Sequence, residues 1–182
     1  MDLSKKIIKQ IKRGEIKDLR GEDLRDADLN CSDLRDADLN CSDLRDADLR
    51  DADLRDADLR YANLRDIKYN FGTEGYNIAC PEKGSFIAYK KANGCLVELL
   101  ILEDSKRSSA TTMKCRCDKA KVLEIEDIVT GENINSVASS HDSNFIYEVG
   151  KIVKVDNFNE DRWDECASGI HFFMNRENAI NY

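Results

Sequence analysis

The apolar side chains of residues 19–64 recur with a period of five. Leucine occupies every fifth position without interruption from Leu19 to Leu64. An α-helix turns about 100° per residue, so this period would scatter the leucines around a helix surface. A β-strand would send successive leucines to opposite faces. We therefore predict a chain that makes a quarter turn every five residues and directs every leucine toward one axis.

The residues around each leucine repeat as well. Alanine or serine stands two positions before the leucine from Ala27 to Ala62, and small side chains suit the interior of a narrow coil. The position directly before the leucine is Asp or Asn, which favour turns, and the two positions after it are mostly polar. The units from Ala27-Asp28-Leu29-Asn30-Cys31 to Ala62-Asn63-Leu64-Arg65-Asp66 resemble the pentapeptide-repeat family.

This resemblance implies a right-handed quadrilateral β-helix with four pentapeptides per coil, over residues 17–70. Lys17 and Glu22 stand where the family has a small residue, so we expect the first two units to form a distorted coil. Ile67 and Tyr69 are large side chains in the last unit, and we expect them to close the far end of the coil.

An amphipathic helix is predicted before the repeat. Leu3, Ile7, Ile8 and Ile11 share one face over residues 2–13, lysines take the other faces, and Gly14 ends the helix. A β-helix exposes unpaired backbone at its first coil, so we predict that residues 1–16 cap that end. Membrane association through the lysines is the alternative reading.

The five-residue period stops after Asn70, and glycines and a proline punctuate residues 72–84. We predict a small α+β domain over residues 71–182, which makes the whole protein β-rich. Asn93-Gly94 is a strong hairpin signal between predicted strands at 85–91 and 95–102. Asn175 is positioned to cap a short terminal helix. Further strands are expected at 113–117, 120–125 and 169–174, a hairpin around Gly150 at 145–155, and polar loops at 103–112 and 130–144.

A second resemblance covers most of residues 76–180. Its segments are Asn77-Ile78-Ala79-Cys80-Pro81, residues 84–91, Lys106-Arg107-Ser108-Ser109-Ala110, residues 114–120, Tyr147-Glu148-Val149-Gly150 and residues 166–173. Together they are similar to an uncharacterised domain found downstream of pentapeptide repeats in phage and bacterial proteins. The resemblance implies an architecture and an origin in phage or bacteria, and it implies no activity.

The charge of the chain is concentrated in the repeat. The protein has 28 Lys and Arg against 36 Asp and Glu, a net charge of −8. Residues 19–66 hold eight arginines against fourteen aspartates and one glutamate. This acidic balance argues against direct binding to nucleic acid. No apolar stretch approaches the roughly 20 residues that span a bilayer, and the start of the chain has no signal-peptide pattern, so we expect a cytoplasmic protein.

An acidic coil also suggests mimicry of DNA against a host enzyme that binds nucleic acid. Ten pentapeptides give two and a half coils, about 12 Å of axis at strand spacing. One turn of DNA is about 34 Å long, so the coil matches only a few base pairs. We therefore rank a rigid scaffold or docking surface, which offsets Asp columns with Arg columns, above DNA mimicry.

The cysteines, together with one histidine, supply one candidate metal site. Seven cysteines without a secretion signal indicate reduced thiols. Cys115, Cys117, Cys166 and His171 form a ligand set that zinc accepts, but Cys115 and Cys117 lack the usual spacing of zinc ligands. Two cysteines two apart in a strand also share a packed face. We predict no metal and no cofactor.

A basic cluster in the second half is the candidate ligand site. Lysines and arginines with neighbouring hydroxyls suit an anion such as a phosphate. The residues predicted to bind it are Lys90, Arg107, Ser108, Ser109, Lys114, Arg116 and His171. The alternative is a solvated strand face, or a surface that docks on the aspartates of the coil.

Catalysis has weaker support. His141 and His171 are the two histidines of the chain, and the motifs of a nucleophile elbow, a phosphate loop or a zinc protease are missing. We predict a binding protein that engages a host protein or an anionic, nucleotide-like molecule. The alternative is an enzyme that acts on a nucleotide-like substrate through His171 with Arg107 or Arg116. The sequence leaves the oligomeric state open.

Overall fold

The computed structural model describes residues 5–182, and these divide into two compact units. The first unit runs to Ala79 and also includes Ala110–Thr112 and Trp163–Glu165. The second unit comprises Cys80–Ser109, Met113–Arg162 and Cys166–Tyr182. The chain therefore returns twice to the first unit after leaving it.

The first unit begins with helix α1, Lys5–Lys12. Ile11 is fully buried, and Ile8 and Ile16 pack against the leucines of the repeat. The Asp33 amide donates a 2.9 Å hydrogen bond to the Lys12 carbonyl, which joins the end of the helix to the second turn of the repeat. Leu3, which the sequence places on the apolar face, lies outside the described residues.

The repeat buries its leucines as the five-residue period predicts. Parallel bridges join residues twenty apart, which is four pentapeptides, such as Asp18 with Asp38 and Asp23 with Asp43. The Leu24 amide donates to the Asp43 carbonyl at 2.8 Å, and this pattern recurs along the repeat. The second residue after each leucine from Leu24 to Leu64 has a φ between 53° and 61°, which turns the chain at each unit.

The second unit is built from short antiparallel strands. They are β1 (Phe86–Ala92), β2 (Cys95–Ile101), β3 (Arg107–Ser109), β4 (Cys115–Cys117), β5 (Lys119–Asp127), β6 (Ser136–Ala138), β7 (Ile146–Glu148), β8 (Ile152–Lys154) and β9 (Ile170–Phe172). They form a four-stranded sheet in the order β1-β2-β5-β8, a three-stranded sheet in the order β3-β4-β9, and the pair β6-β7.

The hairpin predicted at Asn93-Gly94 is present. Both residues have positive φ, 43° and 79°, and Ala92 pairs with Cys95 across the turn. These are the dihedral signs that a two-residue hairpin turn requires. The prediction of a strand on each side is therefore confirmed.

The hairpin predicted around Gly150 is wrong. Strand β7 pairs with β6, whereas β8 pairs with β5. The Gly150 amide donates to the Val122 carbonyl, and the Lys151 carbonyl accepts from the Val122 amide, both at 2.9 Å. The hydrogen bonds of this segment thus go to a neighbouring strand. Two segments predicted as loops also contain strands, β3 at 107–109 and β6 at 136–138.

Helix α2, Arg176–Asn181, follows β9 and ends the described chain. The Asn175 side chain accepts hydrogen bonds from the amides of Glu177 and Asn178, so the predicted N-cap is confirmed. Ala179 is buried against Leu96 and Phe173. The helix therefore packs on the four-stranded sheet.

Candidate functional site

A cavity of about 660 Å³ lies within the second unit. Its walls come from β1 and the turn after it, from the 139–145 loop, and from residues 166–173 around β9. The volume falls in the range of small-molecule sites. Backbone hydrogen bonds of 2.8 Å in both directions join Tyr89 to Phe173, so β1 and the end of β9 form a continuous wall.

The 139–145 loop is held to the wall by the hairpin turn. The Asn93 amide donates to Ser140 Oγ at 2.9 Å, and Asn93 Nδ2 donates to the Ala138 carbonyl at 3.0 Å. The left-handed conformation of Asn93 therefore both closes the β1–β2 hairpin and positions the loop that carries His141.

Cationic side chains dominate the charged lining. Among the described residues that line the cavity, three lysines, Lys90, Lys91 and Lys114, outnumber the one carboxylate, Asp142, and the imidazoles of His141 and His171 complete the titratable nitrogen groups. An excess of cations in a concave, partly desolvated site strengthens the attraction for an anion. The cavity is therefore suited to a negatively charged ligand.

Lys114 is the most buried of these cations, with 8% of its surface exposed. Its Nζ lies 3.2 Å from Tyr182 Oη and 3.9 Å from Cys166 Sγ. The same amine lies 5.3 Å from the centre of the Tyr182 ring, which packs against Phe173. The hydroxyl and the ring face of Tyr182 are therefore two of the groups that stabilise the buried ammonium.

Lys90, on β1, is half-buried and also lines the cavity. Its Nζ lies 6.0 Å from the centre of the Tyr147 ring, and Tyr147 in turn packs against Phe145 at 5.3 Å between ring centres. Burial lowers the pKa of Lys90 because the ammonium loses hydration. Burial also raises the pKa of the Tyr147 hydroxyl.

Arg107, predicted as an anion ligand, is occupied by backbone. Its guanidinium donates to five carbonyl oxygens, those of Pro81, Gly84, Leu102, Glu103 and Ser105, at 2.8–3.2 Å. It also lies over the Phe86 ring at 5.3 Å. Arg107 does not line the cavity, and its contacts hold three chain segments together.

Arg116 has a similar position in the interior. It is 2% exposed and donates to the carbonyls of Asn159, at 2.5 Å, and of Asp161 and Ser168. Ser108 and Ser109 are buried on β3, and Ser108 Oγ has no hydrogen-bond partner among the described residues. Of the seven predicted residues, the structure therefore brings Lys90, Lys114 and His171 to one cavity and places the other four elsewhere.

The sequence reasoning missed the aromatic part of the lining. Tyr147, Phe145 and Tyr182 line the cavity together with Cys166. The spacing of these residues carries no periodic signal, because they come from β7, the loop before it and the end of α2.

The thiols of Cys115 and Cys117 lie near backbone carbonyls. Cys115 Sγ lies 3.8 Å from the Met113 carbonyl, and Cys117 Sγ lies 3.8 Å from the Ile170 carbonyl. Within residues 5–182, no three His, Cys, Asp or Glu side chains are grouped as a metal site. Burial raises the pKa of the Cys117 thiol, because the thiolate would lose its hydration.

Arginines neutralise much of the acidic surface of the repeat. The aspartate before a leucine pairs with the arginine two positions later, as in Asp48 with Arg50 at 2.6 Å. The same pairing joins Asp18 to Arg20, Asp23 to Arg25, Asp33 to Arg35, Asp43 to Arg45, Asp53 to Arg55 and Asp58 to Arg60. Hydrogen bonds from the guanidinium lower the pKa of Asp18 and of Asp48 to about 2.

Two described families match successive parts of the chain. Pentapeptide repeats, in 8 copies, match residues 18–46 and 37–68, which places this part of the chain in the class of pentapeptide-repeat proteins. A family of unknown function (DUF5758) matches residues 76–179, more than half of the chain, and the chain belongs to this family. No curated protein and no solved structure matches this chain.

The helices of the described chain are too short for a bilayer. Across residues 5–182, none has the length and apolar character that crossing a membrane requires. Helix α1 has eight residues and α2 has six.

Proposed function

We propose that this protein binds an anionic, nucleotide-like small molecule in the cavity of its second unit, without catalysing a reaction on it. The observation that carries this proposal is a cavity of about 660 Å³ in which Lys90, Lys91 and Lys114 outnumber the one carboxylate of the lining, Asp142. A bound phosphate would accept charge-assisted hydrogen bonds from these amines.

The aromatic lining favours a ligand that also carries a planar ring. Tyr147 packs against Phe145, Tyr182 packs against Phe173, and all four residues line the cavity. Ring faces attract flat, polarisable groups such as a nucleobase, and stacking of this kind contributes about 1–3 kcal/mol. A phosphate on a flat ring is therefore the ligand chemistry that uses both parts of the lining.

The test is calorimetric titration with pyrophosphate and with ADP as probes. We expect ADP to bind more tightly than pyrophosphate, and Lys114→Met to weaken both by about ten-fold or more, because a charge-assisted hydrogen bond is lost. Lys83→Met is the control, since Lys83 is exposed and lies outside the lining. Equal affinity of the two variants, or no binding of either probe, would overturn the proposal.

For the first unit we propose the architecture that the family resemblance implies. Residues 17–70 would form a right-handed quadrilateral β-helix, residues 1–16 its cap, and residues 71–182 the α+β domain. Support comes from the parallel bridges at intervals of twenty residues and from the burial of Ile11 against the leucines. A crystal structure would test the handedness and the three boundaries.

We further propose that the repeat presents its Asp and Arg rows to a protein partner in a phage or bacterial cytoplasm. Support comes from the regular pairing of Asp48 with Arg50 and of its counterparts, which fixes both charges in a rigid array. Capture from a bacterial lysate by the intact protein, compared with a variant that carries Arg50→Glu and Arg55→Glu, would test this surface. Equal capture by both would count against it.

A further inference from the structure

Lys90 differs from every other lysine that lines the cavity in how its charge is compensated. Lys91 Nζ donates to the Ile180 carbonyl at 2.9 Å, and Lys114 Nζ contacts Tyr182 Oη and Cys166 Sγ. Lys90 Nζ has no hydrogen bond or ion pair with any described residue, and it lies 6.0 Å from the centre of the Tyr147 ring.

The surroundings of this amine are poor in compensating charge. Tyr147 is 2% exposed, and the largest influence on the Lys90 ammonium is its loss of hydration on burial. A half-buried ammonium without a carboxylate loses hydration and gains little in return. The lowered pKa of Lys90 has this cause, and it raises the share of the neutral, nucleophilic amine.

We propose that Lys90 forms a reversible imine with an aldehyde or ketone that also carries a phosphate or carboxylate, held in the cavity by Lys114. This inference rests on the proposed function, because the anionic group of the ligand uses the cationic lining argued above. It goes further in giving the site a covalent chemistry and in limiting its ligands to carbonyl compounds.

Imine formation between Lys90 and a carbonyl group needs no atoms or electrons from a third reactant. The nitrogen lone pair of the neutral amine attacks the carbonyl carbon, and the carbon–oxygen π bond breaks to give a carbinolamine. The nitrogen then loses its second proton as the carbon–nitrogen double bond forms. The oxygen leaves as water with, in net, both protons of the amine, and neither an oxidant nor a reductant is required. His171 lines the same cavity and offers an imidazole for the proton transfers.

The lining offers two amines with different aromatic neighbours. Lys114 lies beside Tyr182, and Lys90 lies beside Tyr147. An anionic group held at Lys114 would leave the far end of a ligand free to reach Lys90. Because the cavity encloses about 660 Å³, it has room for a ring between these two ends.

The test uses pyridoxal 5′-phosphate as a chemical probe, since it joins an aldehyde, a flat ring and a phosphate in one molecule. The protein is incubated with about one equivalent, reduced with borohydride, and the labelled peptide is identified by mass spectrometry. We expect the label on Lys90. Lys90→Arg should reduce trapped label at least about ten-fold, because a guanidinium does not form a stable imine.

Lys91→Arg is the matched control, because Lys91 is the neighbouring lysine on β1 and also lines the cavity. We expect it to keep full labelling at Lys90, and we expect saturating pyrophosphate to suppress that labelling. Thermal unfolding of both variants verifies that each remains folded. Label spread over surface lysines, or labelling unchanged in Lys90→Arg, would overturn the inference.

The outcome separates this inference from the function on which it rests. If pyrophosphate and ADP bind with the Lys114 dependence described above while Lys90 takes no label, the covalent chemistry is wrong and anion binding stands. If neither probe binds and Lys90 takes no label, both proposals fail.

Discussion

Thr111 Oγ1 donates a 2.6 Å hydrogen bond to the carbonyl oxygen of Ala57 in the last turn of the repeat. The equivalent carbonyls of earlier repeat units accept hydrogen bonds from backbone amides. The Ala37 carbonyl accepts from the Asp58 amide, and the Ala47 carbonyl accepts from the Lys68 amide. The hydroxyl of Thr111 therefore replaces the backbone donor that a further turn of the repeat would supply.

Thr111→Val should destabilise the first unit by about 1–3 kcal/mol, because the substitution keeps the shape and leaves a buried carbonyl without its donor. The measurement is chemical denaturation, followed by the loss of β-structure. Thr111→Ser keeps the hydroxyl and should cost less than the valine variant. Equal stability of Thr111→Val and the unchanged protein would show that the hydrogen bond is not required.

The leucine core predicts a graded response along the repeat. Leu39 is fully buried in the middle of the repeat, whereas Leu64 near its end is only partly buried. We expect Leu39→Ala to lower the free energy of unfolding by about 2–5 kcal/mol, because it leaves a cavity in a close-packed interior. Leu64→Ala should cost clearly less in the same denaturation experiment. The reverse order would contradict an interior that is tightest in its middle.

The Asp–Arg pairs predict a weak, salt-sensitive dependence of stability on acid. The pKa of Asp48 is lowered in the folded state from 3.8 to about 2 by its hydrogen bonds with Arg50. The stabilisation that the ionised Asp48 gives the folded state is therefore present above about pH 4, and it is lost as the pH falls toward about 2. Because the pair is exposed, we expect a small effect that salt reduces further.

Titration of the carboxyl by nuclear magnetic resonance measures this directly. Arg50→Gln should return the pKa of Asp48 toward 3.8, because the main cause of its lowering is removed. Asp46→Asn is the control, since the Asp46 carboxylate makes no ion pair with any described residue. An unchanged Asp48 pKa in Arg50→Gln would argue against the pair in solution.

Arg116 should behave as a structural residue and not as a ligand. Arg116→Gln removes donors from the carbonyls of Asn159, Asp161 and Ser168 in the interior, so we expect a loss of about 3 kcal/mol in unfolding free energy. Arg116→Lys should recover little, because one ammonium cannot replace the planar fork. Pyrophosphate affinity of the folded fraction should be unchanged, and a loss of affinity without a loss of stability would reverse this conclusion.

The sequence predicts the parts of this protein in which a local pattern is sufficient. The period of five places every leucine from Leu24 to Leu59 inside, because each unit repeats the same turn. Asn93-Gly94 predicts its hairpin because the turn itself demands positive φ at both residues. The N-cap at Asn175 is local in the same sense.

The parts that sequence reasoning missed depend on distant partners. Gly150 also stands between two apolar segments, but the amide of Gly150 and the carbonyl of Lys151 bond to Val122, twenty-eight or more residues away. Arg107 and Arg116 carry the charge expected of anion ligands, yet both guanidiniums are taken by carbonyls that no local pattern indicates. Lys90 and Lys114, in contrast, reach the cavity.

The position of Thr111 also bears on how the chain acquires its structure during synthesis. The leucines of the repeat leave the ribosome well before residues 110–112 and 163–165, which belong to the same compact unit. The early part of the repeat can bury its leucines while the rest is still being made. Its last turn gains the Thr111 hydroxyl only later, so a nascent chain passes through a stage in which that turn is open.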